Sequence, residues 1–304
     1  MQPEQAVLTL TRPLDLHRTL LPLRHGGLDP AHRSTPDGAV WRATLLATGP
    51  TTMRLAQRDP LTIEVQAWGE GAAEAVTLAP GLLGEHDDVA GFDPPAGPVR
   101  EAYRRTARVR LTRSGRVLES LVPCILEQRV ITRTATDAWR WLLLAHGSPA
   151  PGPAPEGMRV PPSPEGWAAV PSWDFHRAGV DPRRARTVVA AARWSRRLEE
   201  AAGLEPTDAL ARLMLVPGVG PWTAAETAQR AFGDPDAVTV GDYHLPHQIG
   251  YALRGRRTDD AGMLELLEPY RGHRHRAVRH LLLSGAGREP RRGPRLAIED
   301  HRRR

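Results

Sequence analysis

Asp242 is a lone carboxylate in Thr-Val-Gly-Asp-Tyr-His-Leu-Pro (239–246), and it follows Trp222 by 20 residues. Trp222 in turn follows two closely spaced glycines in Leu-Met-Leu-Val-Pro-Gly-Val-Gly-Pro-Trp-Thr-Ala (213–224). A carboxylate suits a reaction that develops positive charge, because it stabilises the cation and orients or deprotonates an attacking water. An electron-rich indole stacks on a flat partner and attracts it when that partner is cationic. Tyr243 offers a second ring beside the carboxylate. The plainer readings stand next to these: Asp242 as the N-cap of a helix beginning at Tyr243, Trp222 as core, and the glycines as a tight interhelical turn without a ligand.

The elements that must position these groups follow from spacing. Leu210, Leu213 and Met214 fall at helical intervals behind a Thr207 cap, and Pro221 suits a first helical position, so the glycines lie in a helix-hairpin-helix. Gly218 and Gly220 allow positive φ and close approach of another backbone, while the second helix turns its unpaired amides outward. Such a turn holds a phosphate through backbone N–H groups alone. Upstream, Val117 to Val130 has helical spacing, Asp137 to His146 makes a second apolar helix, and Asp181-Pro182 opens a helix running to about Ala201. Met263 to Leu267 and Ala277 to Leu283 supply the last helices. Residues Gly147 to Pro164 are too rich in Pro for either element and predict a long extended loop.

From Ala6 to about Leu83 the pattern changes to short alternating or β-branched runs such as Val40 to Leu45 and Leu61 to Val65, with one helix near Asp15 to Leu21. The fold class is therefore α+β: an N-terminal antiparallel sheet lobe followed by an all-helical, two-lobed remainder, joined by the Pro/Gly-rich stretch Gly91 to Pro98. The domain boundaries expected are 1–95 for the mixed sheet domain, 96–287 for the helical domain with its hairpin at 216–220, and 288–304 for a basic, disordered tail.

Composition narrows the chemistry. The chain has 304 residues, 40 % of them apolar, with 41 basic and 35 acidic residues and a net charge of +6. Every basic residue is Arg; Lys does not occur. Apart from the terminal amine there is no primary amine for a Schiff base with a sugar carbon, which excludes Lys-dependent lyase chemistry. Residues 1–100 hold 8 Arg against 12 acids, so the later residues carry a net +10 and would meet nucleic acid. The single Cys, Cys124, excludes an internal disulfide and a four-Cys iron–sulfur cluster. His273, His275 and His280 lack a Cys or carboxylate at convincing spacing for zinc. No membrane-length apolar run or secretory start is present, so the expected location is cytoplasmic.

The hairpin followed by Trp222 and then Asp242 resembles the helix-hairpin-helix DNA glycosylase superfamily, and within it the DNA-3-methyladenine glycosylase II type. That type carries Trp two places after the second hairpin glycine, where the bifunctional branch has Lys. Here Val216 replaces the usual Leu of the hairpin. The resemblance runs from Leu118 to Ser284, with looser likeness over the N-terminal sheet. It implies a monofunctional glycosylase that everts alkylated purines such as 3-methyladenine from duplex DNA and hydrolyses the N-glycosidic bond in base-excision repair.

By the same resemblance Asp242 is catalytic, and Trp222 and Tyr243 form the base pocket. Gly218, Val219, Gly220 and Thr223 hold the DNA backbone, together with Gln128, Arg129 and Arg271. Gln128 and Arg129 lie in Leu121 to Thr132, which is similar to the family's Ile-Leu-x-Gln helix; Arg129 takes the wedge position, where an apolar residue is frequent, and an ordinary exposed helix Arg is the other reading. Side chains supply no metal site, but the resemblance implies a monovalent cation, Na or K, held by backbone carbonyls of the hairpin at 216–220 and bridging to phosphate. The expected partner is double-stranded DNA with a damaged base, met by a monomer in the bacterial nucleoid. Two alternatives remain open: a monofunctional glycosylase for uracil, mismatched thymine or oxidised purine, and a non-catalytic damage-binding protein.

Overall fold

In the computed structural model, which describes residues 2–288, the N-terminal lobe is a five-stranded antiparallel sheet of spatial order β1-β5-β4-β3-β2. Strand β1 (Glu4–Thr9) precedes a short helix, α1 (Leu16–Leu20), whose N-cap Asp15 accepts from Arg18 N; a 3-10 turn (Leu21–Leu23) continues it. Then come β2 (His32–Ser34), β3 (Val40–Leu46), β4 (Gly49–Asp59), β5 (Thr62–Gly69) and helix α2 (Ala72–Leu82). Alternate side chains of β3 face opposite ways, as the pleat requires. Val40 and Leu46 join Leu55, Val65 and α2 in one apolar cluster, while Trp41 and Ala43 pack with Trp68, Met158 and Val160 on the other face. The rings of Trp41 and Trp68 stack at 5.5 Å.

The second face explains a difference from the sequence reading of 147–164 as a plain extended loop. The segment forms a small ribbon, β6 (Ser148–Pro149) paired with β7 (Arg159–Val160), because it has an apolar sheet face to cover.

The helical part begins with α3 (Pro98–Arg105) and α4 (Val117–Leu126), and α5 spans Thr132–His146. Next are α6 (Pro164–Ala169), α7 (Ser172–Arg177), α8 (Pro182–Arg193), α9 (Ser195–Glu199) and α10 (Pro206–Met214); α11 (Pro221–Ala231), α12 (Leu245–Arg254), α13 (Asp260–Leu267) and α14 (Arg274–Ser284) follow. Among the described residues it has two larger apolar cores and a small alanine cluster at Ala225, Ala228 and Ala237. One gathers α4, α5, α8 and α11 around Trp139 and Trp167, whose rings stack at 6.1 Å. The other gathers Phe92 and α3 with α12, α13 and α14.

Three helix limits correct the sequence reading. Thr207 lies inside α10, which is entered through Glu205 and Pro206. The helix from Asp181 breaks at Trp194 into α8 and α9. The third is at the site: α4 stops at Leu126 rather than Val130, so Gln128 and Arg129 stand on the turn beyond the helix. The expected tail from residue 288 lies outside the described residues apart from Arg288.

Candidate active site

The hairpin joins α10 to α11 with Pro221 at the first helical position. Gly218 has φ +93°, and a Cβ there would stand 2.2 Å from Thr187 Oγ1 on α8, so both backbone geometry and packing demand glycine. Gly220 differs from the expectation of positive φ. It is extended at φ −105°, ψ −177°, and an added Cβ would meet open space. Its small size clears the approach to the amides of the first turn of α11 instead of relieving a contact within the chain. Val219 is buried beneath the turn, and its N–H closes onto Val216 O at 3.0 Å.

Gln128 fastens this hairpin to the end of α4. Its Nε2 donates to Gly218 O at 3.0 Å and to Thr223 Oγ1 at 2.9 Å. Thr223 is buried, and its hydroxyl serves this internal bond. The next residue, Arg129, is exposed and has φ +55°, the one non-glycine positive φ among the described residues. Such a conformation costs roughly 1–3 kcal/mol for a non-glycine side chain; the Gln128 anchor on one side and α5 on the other fix the turn that imposes it.

Trp222 and Asp242 meet. The indole Nε1 donates to Asp242 Oδ2 at 3.0 Å, and Asp242 Oδ1 accepts from His244 N at 2.7 Å and Leu245 N at 2.8 Å. The N-cap foreseen at Asp242 is instead His244, and the helix begins at Leu245 rather than at Tyr243; Asp242 closes a turn onto the first two amides of that end. Three N–H donors orient the carboxylate, and both residues are half-buried.

Two residues named from sequence are not brought into this cluster. Tyr243 is 77 % exposed, with its ring edge-on to His244 at 4.9 Å, so it forms no pocket wall with Trp222. Arg271 is engaged with Glu268, Nη2 to Oε1 at 2.6 Å. The histidines of α14 divide: His275 and His280 are buried, His280 Nδ1 meets Thr106 Oγ1 at 2.7 Å, and His273 Nε2 meets Ala90 O at 3.1 Å. Among the described residues no three His, Cys, Asp or Glu side chains form a group able to hold a metal, and no helix is long and apolar enough to cross a membrane.

Sequence reading missed the wall that continues inward from Trp222. Glu226 and Arg230 follow it at four-residue steps on α11, so the three share one face. Arg230 Nη1 pairs with Glu226 Oε2 at 2.5 Å, and Thr239 Oγ1 donates to Glu226 Oε1 at 3.0 Å. Burial works against the Arg230 charge, but Glu226 with Cys124 and Glu127 outweighs it and raises the pKa. Glu127, opposite on the turn after α4, is pushed up by burial, which Arg230 opposes and Glu226 and Asp242 reinforce. Its carboxylate has no hydrogen bond or ion pair among the described residues. Arg279 on α14 is lowered to about 10 by burial and by Arg230, against the pull of Glu226. A signal existed: three bulky groups spaced by four in a helix made, after Pro221, otherwise of Ala, Thr and Gln.

No family model matches the chain. In sequence it is 32 % identical over 157 residues to a Mycobacterium tuberculosis protein named "Probable bifunctional transcriptional activator/DNA repair enzyme AlkA", a match covering 51 % of this chain and 30 % of that protein. The chain thus spans under a third of the curated relative's length. In structure it superposes on a 3-methyladenine DNA-glycosylase from Archaeoglobus fulgidus with TM-score 0.76 at 18 % identity, over 91 % of this chain and 97 % of that one. An 8-oxoguanine glycosylase/lyase from Clostridium acetobutylicum, solved with duplex DNA, gives TM-score 0.70 at 12 % identity over 92 % and 96 %. At these identities the structural likeness is one of fold. The chain therefore has the α+β fold of the helix-hairpin-helix DNA glycosylases and, in sequence, stands near their AlkA type.

Proposed function

We propose that this protein is a monofunctional DNA glycosylase that removes alkylated purines from duplex DNA. The observation that carries the reading is the 3.0 Å bond from Trp222 Nε1 to Asp242 Oδ2, which joins a stacking surface to an oriented carboxylate beside the hairpin. An everted base stacks on the indole, and the C1′–N bond breaks with its electron pair leaving on the base. The sugar carbon then resembles an oxocarbenium ion, which the Asp242 carboxylate stabilises while it orients the water that completes hydrolysis. A cationic N-alkyl purine is already a good leaving group and needs no strong acid.

Phosphate on either side of the gap is held by the amides at the start of α11 and by Arg side chains, so affinity falls steeply with salt. We assign Arg129, exposed on a strained turn beside Gln128 and so near the hairpin, to the gap left by the everted base; its exposure and the Gln128 bond to Gly218 O support that role. The hairpin offers neutral carbonyl oxygens and no carboxylate, a donor set that fits a monovalent cation; Gly218 O already accepts one bond from Gln128 and keeps a second lone pair. When bound, the cation supplies positive charge for a phosphate oxygen. The absence of Lys from the sequence supports hydrolysis without strand cleavage. We place the enzyme in base-excision repair, acting as a monomer on DNA in the bacterial cytoplasm without an iron–sulfur cluster.

The test is release of free base from methylated duplex DNA by the wild type and by Asp242→Asn, with binding to an abasic-site duplex measured in parallel. Release of 3-methyladenine by the wild type, lost in the variant with binding kept, supports the reading. Tight binding without release by the wild type replaces it with a damage-binding role.

A further inference from the structure

A cavity of about 230 Å³ lies where the entrance of α10, the loop after α11 and the start of α14 converge, lined among others by Arg113, Leu204, Phe232, Asp234 and Arg276. Drug-sized ligands fill roughly 300–1,000 Å³, so this volume suits one group about the size of a side chain. Phe232 follows the C-terminal end of α11, whereas the hairpin precedes its N-terminal end, and a helix of 11 residues is about 16 Å long. The cavity is therefore a separate place from the hairpin and its carboxylate.

Hydrogen bonds between distant segments fix its walls. Gly233 has φ +66°, and a Cβ there would stand 3.1 Å from Thr112 O and 3.4 Å from Arg113 Cβ. Arg276 N donates to Pro235 O at 3.0 Å, and Arg113 Nη2 donates to Ala202 O at 3.0 Å. Asp234 is 7 % exposed; its Oδ1 accepts from Asp236 N at 2.8 Å and Ala237 N at 3.1 Å, while Oδ2 has no hydrogen bond or ion pair among the described residues.

The charges around the cavity do not cancel. Arg276 Nη2 pairs with Asp87 Oδ1 at 2.7 Å, and Arg12 Nη2 reaches Asp87 Oδ2 at 3.4 Å. The other charged lining residues, Asp88, Asp234 and Arg113, have no ion pair among the described residues, which sets two carboxylates against one guanidinium. Arg274, also near Asp234, is bound by Asp236. Burial raises the Asp234 pKa, and the Asp236 charge adds to it, against the two amide bonds and Arg274; a cation beside Oδ2 would lower it again. The rest of the lining is largely apolar, and the Phe232 ring adds attraction for a cation.

We propose that this cavity binds a small organic cation, an alkylammonium or alkylguanidinium group on a short apolar body, with the Asp234 and Asp88 carboxylates matching its charge and Phe232 and Leu204 covering its body. The site stands apart from the glycosylase centre and does not depend on it.

The experiment titrates butylammonium, butylguanidinium, butanol and butyrate into the full chain; they share one apolar body and differ in charge. Binding is followed by the amide NMR shifts of Ala209, Gly233 and Asp234, with thermal melting of each variant as a check on folding. The two cations are expected to bind at least about tenfold more tightly than butyrate, with butanol between them. Asp234→Asn keeps an oxygen for the two backbone amides and should remove most of the preference for cations. Arg113→Gln takes away the one unmatched positive charge and should tighten cation binding, whereas a site for anions would lose affinity for butyrate. N-acetylarginine methylamide identifies the source of the cation: tighter binding than butylguanidinium assigns the site to an arginine side chain of a protein, and weaker binding assigns it to a free amine or guanidine. Butyrate held as tightly as the cations, cation binding unchanged in a folded Asp234→Asn, weaker cation binding in Arg113→Gln, or no shift with any probe overturns the proposal.

Discussion

At the hairpin rim, Asp242 has three N–H donors and Gln128 reaches two acceptors; along the inner wall, Glu127 and Arg279 keep charged atoms without a counter-charge among the described residues. The rim is preorganised, so it can hold a reacting centre in place without reorganising during the reaction. The wall carries hydrogen-bonding capacity that no described residue uses, at side chains that are partly buried, where an unpaired polar group costs more than it does in open solvent. The rim and the wall are thus neighbouring but physically different surfaces, one with its polar groups satisfied and one with polar groups left over.

Substitutions on each side should tell the two apart. The largest effect is expected at the rim: Asp242→Asn should cut base release about 10²–10⁴-fold with abasic-duplex affinity nearly unchanged, read by single-turnover kinetics. A comparable loss of binding would mean that the carboxylate is structural. On the wall, Glu226→Gln leaves Arg230 buried without its counter-charge and should destabilise the fold by roughly 3–5 kcal/mol in denaturant melts; near-wild-type stability would show that this pair is dispensable.

The two hairpin glycines give an intermediate test. Gly218→Ala, strained and pressed against Thr187, should lower stability by about 1–3 kcal/mol. Gly220→Ala should leave the melting temperature unchanged yet weaken DNA binding; if both act alike, the assigned division between packing and ligand clearance is wrong.

The pH dependence of stability involves buried histidines on both sides. Burial, with nearby arginines, pulls His280 down to about 4 and His32 down to about 3, and lowers His25 and His275 as well. The unfolded chain binds those protons first, so their contribution is complete above about pH 6.5 and is lost as pH falls through the folded values. Asp29 acts in the opposite direction between about 6 and 4, because burial raises its folded pKa to about 6. Glu127 and Asp234, also raised by burial, act with Asp29; the four histidines outweigh these three carboxyls, and the melting temperature should fall from pH 6.5 toward 4. A flat profile would remove these groups from the account. A smaller loss than at Glu226 is expected for Gln128→Ala, about 1–2 kcal/mol from the lost brace, with a modest loss of DNA affinity; unchanged stability would mean that Gln128 does not brace the hairpin.

Local order along the chain made the rim legible from sequence. Pro-Gly-Val-Gly-Pro specifies a hairpin because glycine torsions and proline φ act within a few residues, and Asp242 before a helical run specifies a turn onto its first amides by the same short-range bonding. The alternating runs of the N-terminal sheet and the absence of Lys were equally local facts. The wall had no such signature, since its members come from α4, α11, α14 and a tether at residues 18–22. Tertiary structure alone ended α4 at Leu126 and put Arg129 on a strained turn. It also turned Tyr243 outward and, among the described residues, gave Arg230 but not Arg279 a carboxylate. Sequence determines what a few adjacent residues can do with their own backbone; which charges share a crevice depends on packing between segments separated by up to two hundred residues, and no local pattern encodes that.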